Sequence, residues 1–167
     1  MTDHAMAENV TSEAAPVQLR RMVPADLDAL MPYEQAMFGS ESWSRASYQD
    51  ELADSQTRYY LIAEEATAGS PATVLGCGGL MTIAETAQVL TVGVLPAARR
   101  RGIGALLVQA LVAEAARRQA EEVLLEVRID NQAARKLYEA QGFAMIGTRR
   151  GYYDRGRVDA VVMRRGL

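Results

Sequence analysis

The chain has 167 residues, 49% of them apolar, with 18 basic residues against 21 acidic ones and a net charge of −3; this suits one globular domain and supplies no overall basic field for nucleic acid, so any anion site must be local. Cys77 is the only cysteine and His4 the only histidine, the latter in a polar segment at the chain start, which excludes an internal disulfide, a thiolate zinc cluster and a histidine-built metal site and leaves a Ser–His or Cys–His nucleophile without a credible base. No apolar run approaches the roughly 20 residues of a membrane helix, and the first residues lack the basic and apolar segments of a signal peptide, so a cytoplasmic protein with no membrane or direct nucleic-acid partner is expected.

Residues 1–15, small, polar and acidic, read as a flexible tail, leaving 16–167 as the domain. "VQLRRM" (17–22) alternates as a first strand. Pro24 suits the first turn of a helix running to Phe38, with Asp26 and Asp28 near its positive end and Pro32 as a kink or break. "GSESWS" (39–44) is a loop, and its Ser44 is an N-cap for a second helix through Ala53. "YYLIAEE" (59–65) is a strand and "ATAGSP" (66–71) a turn. "TVLGCGGLMTIA" (73–84) and "AQVLTVGVL" (87–95) are antiparallel partners joined near Glu85 and Thr86.

From Gly102 the residues Ile103, Leu106, Leu107, Ala110 and Leu111 recur at helical spacing, to near Gln119. "EVLLEVRI" (122–129) is a strand. Asn131 caps a helix from Gln132 to Gln141, closed by Gly142. "FAMIGTRR" (143–150) and "RVDAVVMRR" (157–165) form a final hairpin around "GYYDRG". The order β-α-α-β-β-β-α-β-α-β-β, without internal repeats, describes a single mixed α/β domain.

The stretch "VGVLPAARRRGIGALL" (92–107) sets three arginines and two glycines at the mouth of a helix. A helix N-terminus offers free N–H groups and partial positive charge. Gly102 and Gly104 let a phosphate approach the backbone, and Arg99, Arg100 and Arg101 add donors around it. Taken alone the pattern fits a plain turn with solvated arginines equally well.

The segment resembles the acetyl-CoA loop of the GNAT N-acetyltransferases, whose signature is Arg/Gln-x-x-Gly-x-Gly/Ala after a strand; here it falls on Arg99, Gly102 and Gly104. Downstream, "NQAARKLYEAQGF" carries the Asn, Tyr and Gly-Phe common in that family as Asn131, Tyr138, Gly142 and Phe143. Within the family, the chain is most similar to the bacterial ribosomal-protein-alanine N-acetyltransferases. "SWS" (42–44) resembles their "PWS" loop, "RYYLIAEE" (58–65) their aromatic second strand, "LEVRIDN" (125–131) their "LEVR-x-x-N" strand, and "RRGYY" (149–153) their "RR-x-YY" segment. Ser42, Gly93 and Leu95 depart from the Pro, Ala and Asp usual there.

The resemblance implies a GNAT fold with a mixed, twisted central sheet flanked by helices. It implies acetyl-CoA as cosubstrate and no metal. The cofactor would lie between the strand ending at Val94 and the strand bearing Glu126, against Val92, Gly93, Val94, Arg99, Arg100, Arg101, Gly102, Ile103, Gly104, Ala105 and Asn131. Direct attack of an amine on the thioester needs a base and an acid but no enzyme nucleophile. Alternation places Leu124, Glu126 and Arg128 on one strand face. Read by itself, Glu126 is either a base or a carboxylate paired near Arg128. Tyr138, on a helical face with Ala134 and Gln141, is by itself more simply a core tyrosine. The resemblance makes Glu126 the general base and Tyr138 the general acid. Tyr152 and Tyr153 would grip a peptide N-terminus, with Trp43 walling the same groove. The expected acceptor is the N-terminal alanine of a small-subunit ribosomal protein. The rival readings are a lysine, polyamine or small-molecule amine as acceptor, a non-catalytic acyl-CoA-binding module and, more weakly, a nucleotide-binding module.

Overall fold

The computed structural model describes residues 16–67 and 69–167; the tail expected over 1–15 lies outside them. The strands are β1 (Val17–Arg21), β2 (Arg58–Thr67), β3 (Ser70–Ile83), β4 (Thr86–Val94), β5 (Glu122–Arg128), β6 (Ala144–Tyr153) and β7 (Val158–Gly166). The helices are α1 (Leu27–Phe38), α2 (Arg45–Ala53), α3 (Ile103–Arg117) and α4 (Gln132–Ala140), with short 3-10 turns at Pro24–Asp26, Gly39–Glu41, Pro96–Ala98 and Asp154–Gly156. No helix among the described residues is long and apolar enough to cross a membrane.

One sheet runs in the order β1-β2-β3-β4-β5-β7-β6. Every neighbouring pair is antiparallel except β4 and β5, which are parallel. A parallel pair needs a crossover, and α3 supplies it. The two faces are covered by different helices. A Cβ on Gly78 would touch Leu107 and Leu111 of α3. Val92 pairs with Gly78, and the next residue, Gly93, faces the other way, toward α1. A Cβ there would stand 2.3 Å from the Phe38 ring, so only glycine lets α1 lie this close to β4. Leu107, Val108, Leu111 and Ala115 of α3 are buried, as are Val123, Leu125 and Val127 of β5, so the main core lies under α3.

Several boundaries differ from the sequence reading. Pro24–Asp26 is a 3-10 turn and the α-helix begins at Leu27; Pro32 sits inside α1, which continues through it to Phe38. β2 and β3 run on until Thr67 pairs with Ser70, which shortens the turn. A register shift between Glu65 and Thr67 breaks the period-2 pattern there, so alternation could not reveal the extension. β6 likewise continues through "GYY" to Tyr153 across a shift between Arg149 and Tyr153.

Candidate active site

β4 and β5 run side by side only from Thr86↔Glu122 to Val89↔Leu125. Beyond that point both continue, to Val94 and Arg128, without pairing. The cause is local. β3 places Leu80 opposite Val89 and Gly79 opposite Thr91, so Leu90 is an extra residue in β4. Such a bulge bends and twists its strand, and here β4 turns away from β5. The parting opens a cleft of about 370 Å³. Met37, Phe38 and Trp43 line it from the α1 side, Gln88 to Val92 from β4, Leu125 to Arg128 from β5, Asn131 and Tyr138 from α4, and Tyr152 and Tyr153 from β6.

Glu126 is the first residue of β5 past the last paired position. Its side chain is 13% exposed. Leu124, Glu126 and Arg128 alternate with the buried Val123, Leu125 and Val127, as the spacing predicts. Both carboxylate oxygens are engaged: Gln88 Nε2 donates to Oε2 at 2.8 Å and Arg149 Nη1 to Oε1 at 2.8 Å. The Tyr153 hydroxyl donates to the Glu126 carbonyl at 3.2 Å. Glu126 is thus also an ion-paired carboxylate, and its partner Arg149 stands in register with Arg128, both opposite Ala160 of β7. Arg128 pairs instead with Asp130 and Asp154 at 2.9 and 2.8 Å.

Tyr138 is 8% exposed, its ring edge-on to Phe143 with centroids 5.9 Å apart. No hydrogen bond to its hydroxyl forms among the described residues, although the side chain borders the cleft. Burial pushes that hydroxyl up to about 12, so it keeps its proton at neutral pH. A core tyrosine would normally satisfy its hydroxyl within the protein. Asn131 both caps α4, its Oδ1 accepting the Ala134 N–H at 3.1 Å, and borders the cleft.

Of the remaining residues expected to hold the cofactor, Val92 lines the cleft and the others do not. Gly93 and Val94 carry β4 onward to the Arg99–Ala105 turn. α2 and α4 are capped by Ser44 and Asn131, but no side chain caps α3. Helix geometry leaves the amides of Ile103, Gly104 and Ala105 without an intrahelical acceptor. Gly102 is the N-cap, with φ 77, and a Cβ there would meet nothing within 4 Å. Gly104 is constrained differently, since a Cβ would come within 3.1 Å of Leu137 on α4. Arg99 Nε donates to the Val94 carbonyl at 3.3 Å, and Arg101 pairs with Glu65 at 2.5 Å. Arg100, with φ 65, has no side-chain partner among the described residues.

Trp43, Tyr152 and Tyr153 all reach the cleft. The Tyr152 ring lies under Arg149, 4.4 Å from its guanidinium carbon, and edge-on to Tyr153 at 4.9 Å. Burial raises the Tyr153 hydroxyl well above its ordinary range. A second opening, bordered by Ser40, Glu41, Tyr152, Asp154, Arg155 and Arg157, shares Glu41 and Tyr152 with the cleft. Gln88 and Arg149, the two partners of Glu126, escaped the sequence reading. Gln88 is one polar residue in an alternating strand, and Arg149 lies in a segment singled out for its tyrosines.

Residues 27–143 match the acetyltransferase (GNAT) family, and the chain belongs to that family. It is an acyltransferase, a GNAT N-acetyltransferase in fold and class. It is 35% identical over 161 residues to the N-alpha-acetyltransferase RimI of Mycobacterium tuberculosis, covering 93% of this chain and 96% of that one. It is 28% identical over 145 residues to a putative ribosomal protein bS18-alanine N-acetyltransferase of Bacillus subtilis, covering 87% and 92%. An uncharacterised protein of Mycobacterium leprae is 34% identical over 164 residues, but the chain spans only 43% of its length. Among solved structures, the ribosomal-protein-S18-alanine N-acetyltransferase of Escherichia coli superposes with a TM-score of 0.78 at 25% identity, covering 91% of this chain and 94% of that one.

Proposed function

We propose that this enzyme transfers the acetyl group of acetyl-CoA to the N-terminal amine of a protein, the alanine of a small-subunit ribosomal protein. The observation that carries the reading is the parting of β4 and β5, which puts Glu126 and Tyr138 on one cleft. Acetyl-CoA fits the residues present. The β4 edge from Leu90 to Val94 has lost its β5 partner, so its backbone groups are available to the amides of the cofactor arm. The uncapped start of α3, with the Arg99–Ala105 turn, suits its pyrophosphate. When bound, the cofactor supplies an activated thioester.

The acceptor nitrogen attacks the thioester carbonyl, a C–N bond forms and the C–S bond breaks. Glu126 takes the proton from the ammonium, directly or through water, with Gln88 and Arg149 fixing its orientation. Tyr138, buried and protonated, donates its proton to the departing sulfur. The transfer is direct. Cys77, the one thiol, is buried outside the cleft lining and burial pushes it up to about 12, so it is no acyl carrier. The protein acceptor is supported by the names of the Bacillus subtilis and Escherichia coli relatives and by the two tyrosines beside Glu126.

The test is mass spectrometry of two peptides incubated with the enzyme and acetyl-CoA. One begins with a free alanine; the other has a blocked N-terminus and an internal lysine. Acetylation of the first alone is expected, together with loss of one acetyl group from a ribosomal protein in cells lacking the enzyme. Equal acetylation of the blocked peptide at its lysine overturns the N-terminal reading.

A further inference from the structure

Glu34 is 3% exposed, on the buried side of α1. No arginine or lysine pairs with it among the described residues, which is unusual for a buried carboxylate. Burial raises its affinity for a proton, and two hydrogen bonds work against that rise. Oε1 accepts the Trp43 backbone N–H at 2.8 Å, and Oε2 accepts the Tyr48 O–H at 3.1 Å. A leucine of similar volume would fill the space without the desolvation but would leave both donors unpaired, so the two acceptor positions, not the charge, are what the site uses.

What it holds is the cleft wall. Trp43 lies between the 3-10 turn at Gly39–Glu41 and α2, outside any helix or strand. Its indole packs on Tyr48 and Tyr60, with centroids 5.3 and 6.4 Å away, and borders the cleft. One carboxylate therefore ties down both the backbone of the wall residue and the ring beneath it. The same segment carries Ser40 and Glu41 across to Asp154 in the β6–β7 turn. Glu34 itself does not line the cleft.

We propose that Glu34 is a positioning residue for the acceptor: it clamps Trp43 so that the wall beside the incoming amine-bearing chain keeps its shape. This rests on the reading of the cleft as the acceptor site. Trp43 is the only tryptophan, so its fluorescence reports the wall directly. In Glu34→Gln the amide oxygen accepts from Trp43, the amide N–H donates to Tyr48 Oη, and the Tyr48 hydroxyl turns toward Cys77 Sγ, 3.9 Å away. Wild-type emission and wild-type KM are expected for that variant. Glu34→Ala removes both acceptors. It should shift Trp43 emission to the red and raise the KM for an alanine-terminated peptide about tenfold, with kcat within about threefold. Acetyl-CoA affinity by calorimetry should not change.

A folded Glu34→Ala protein with unchanged emission and KM overturns the proposal. A fall in kcat at constant KM also overturns it, by placing Glu34 in the chemistry. If Glu34→Ala does not fold, Glu34→Asp, too short to reach both donors, carries the same expectations. If the wild-type enzyme leaves the peptide untouched, the acceptor reading fails instead, and the emission of the alanine and glutamine variants still decides whether Glu34 clamps Trp43.

Discussion

Gln88 reaches across to Glu126, Nε2 to Oε2 at 2.8 Å, at the place where β4 and β5 cease to be neighbours. The contact holds a carboxylate at the apex of the parted strands. It is made by a residue 38 positions earlier in the chain. With Arg149 on the other oxygen, the carboxylate has one orientation before any substrate arrives. The proposed role of Glu126 as the base has a testable signature.

Glu126→Gln keeps the shape; its amide oxygen still accepts from Arg149, and its amide N–H donates to the Gln88 side-chain oxygen once that amide turns over, but it accepts no proton. On an alanine-terminated peptide we expect kcat/KM to fall by about 10²–10⁴ at neutral pH. An α-amine has a pKa near 7.7–8.0, so raising the pH supplies free amine and should recover part of the rate. Full activity across the pH range would remove Glu126 from the chemistry.

Tyr138→Phe keeps the ring against Phe143 and deletes a hydroxyl that has no hydrogen-bond partner among the described residues. Stability should therefore change little, within about 0.5 kcal/mol, while kcat drops about 10²–10⁴-fold. Acetyl-CoA affinity should hold. Stopped-flow turnover beside a thermal melt separates the two effects; wild-type kcat would return Tyr138 to a packing role.

Gly102 tests the phosphate turn. Its φ of 77 penalises a branched side chain, whereas its open surroundings do not. Gly102→Val should therefore lose about 1–2 kcal/mol of stability from backbone strain. Gly102→Asn tolerates the left-handed conformation, so it should melt near wild type and still bind acetyl-CoA about tenfold or more weakly, because its side chain occupies the approach to the α3 amides. Calorimetry giving wild-type affinity for the asparagine variant would take the turn out of the site.

Asp26 predicts a pH effect remote from the cleft. Arg20 donates to both its oxygens at 2.7 Å and the Val23 N–H to one at 2.8 Å, tying β1 to the start of α1. These bonds, the Arg20 pair first, hold the carboxyl below its ordinary range. A lowered folded-state pKa stabilises the protein above the unfolded carboxylate value and loses that contribution as pH falls through the lowered value. Arg20 is 40% exposed, so solvent screening limits the gain. Asp26→Asn should cost about 1 kcal/mol at pH 7, and its melting curve should converge on the wild-type curve in acid. Parallel melting curves at both pH values would contradict the assignment.

Local periodicity determined much of this protein. The helical spacing from Ile103, the caps at Ser44 and Asn131, and the alternation around Glu126 are short-range properties, and each element formed near where its pattern stands. The Arg99–Ala105 turn was legible for the same reason, since glycine and arginine at a helix start act within a few residues. Boundaries failed where a bulge interrupts the period, at Glu65–Thr67 and Arg149–Tyr153. Strand order, with β7 inserted between β5 and β6, was decided only in three dimensions, because alternation says which way a side chain points and not which strand lies beside it. The same is true of the cleft. Leu90 reads as one more apolar residue until β3 skips over it. Gln88, Arg149 and Glu34 acquire roles only through partners that the folded sheet and helices bring to them, at distances no spacing along the chain encodes.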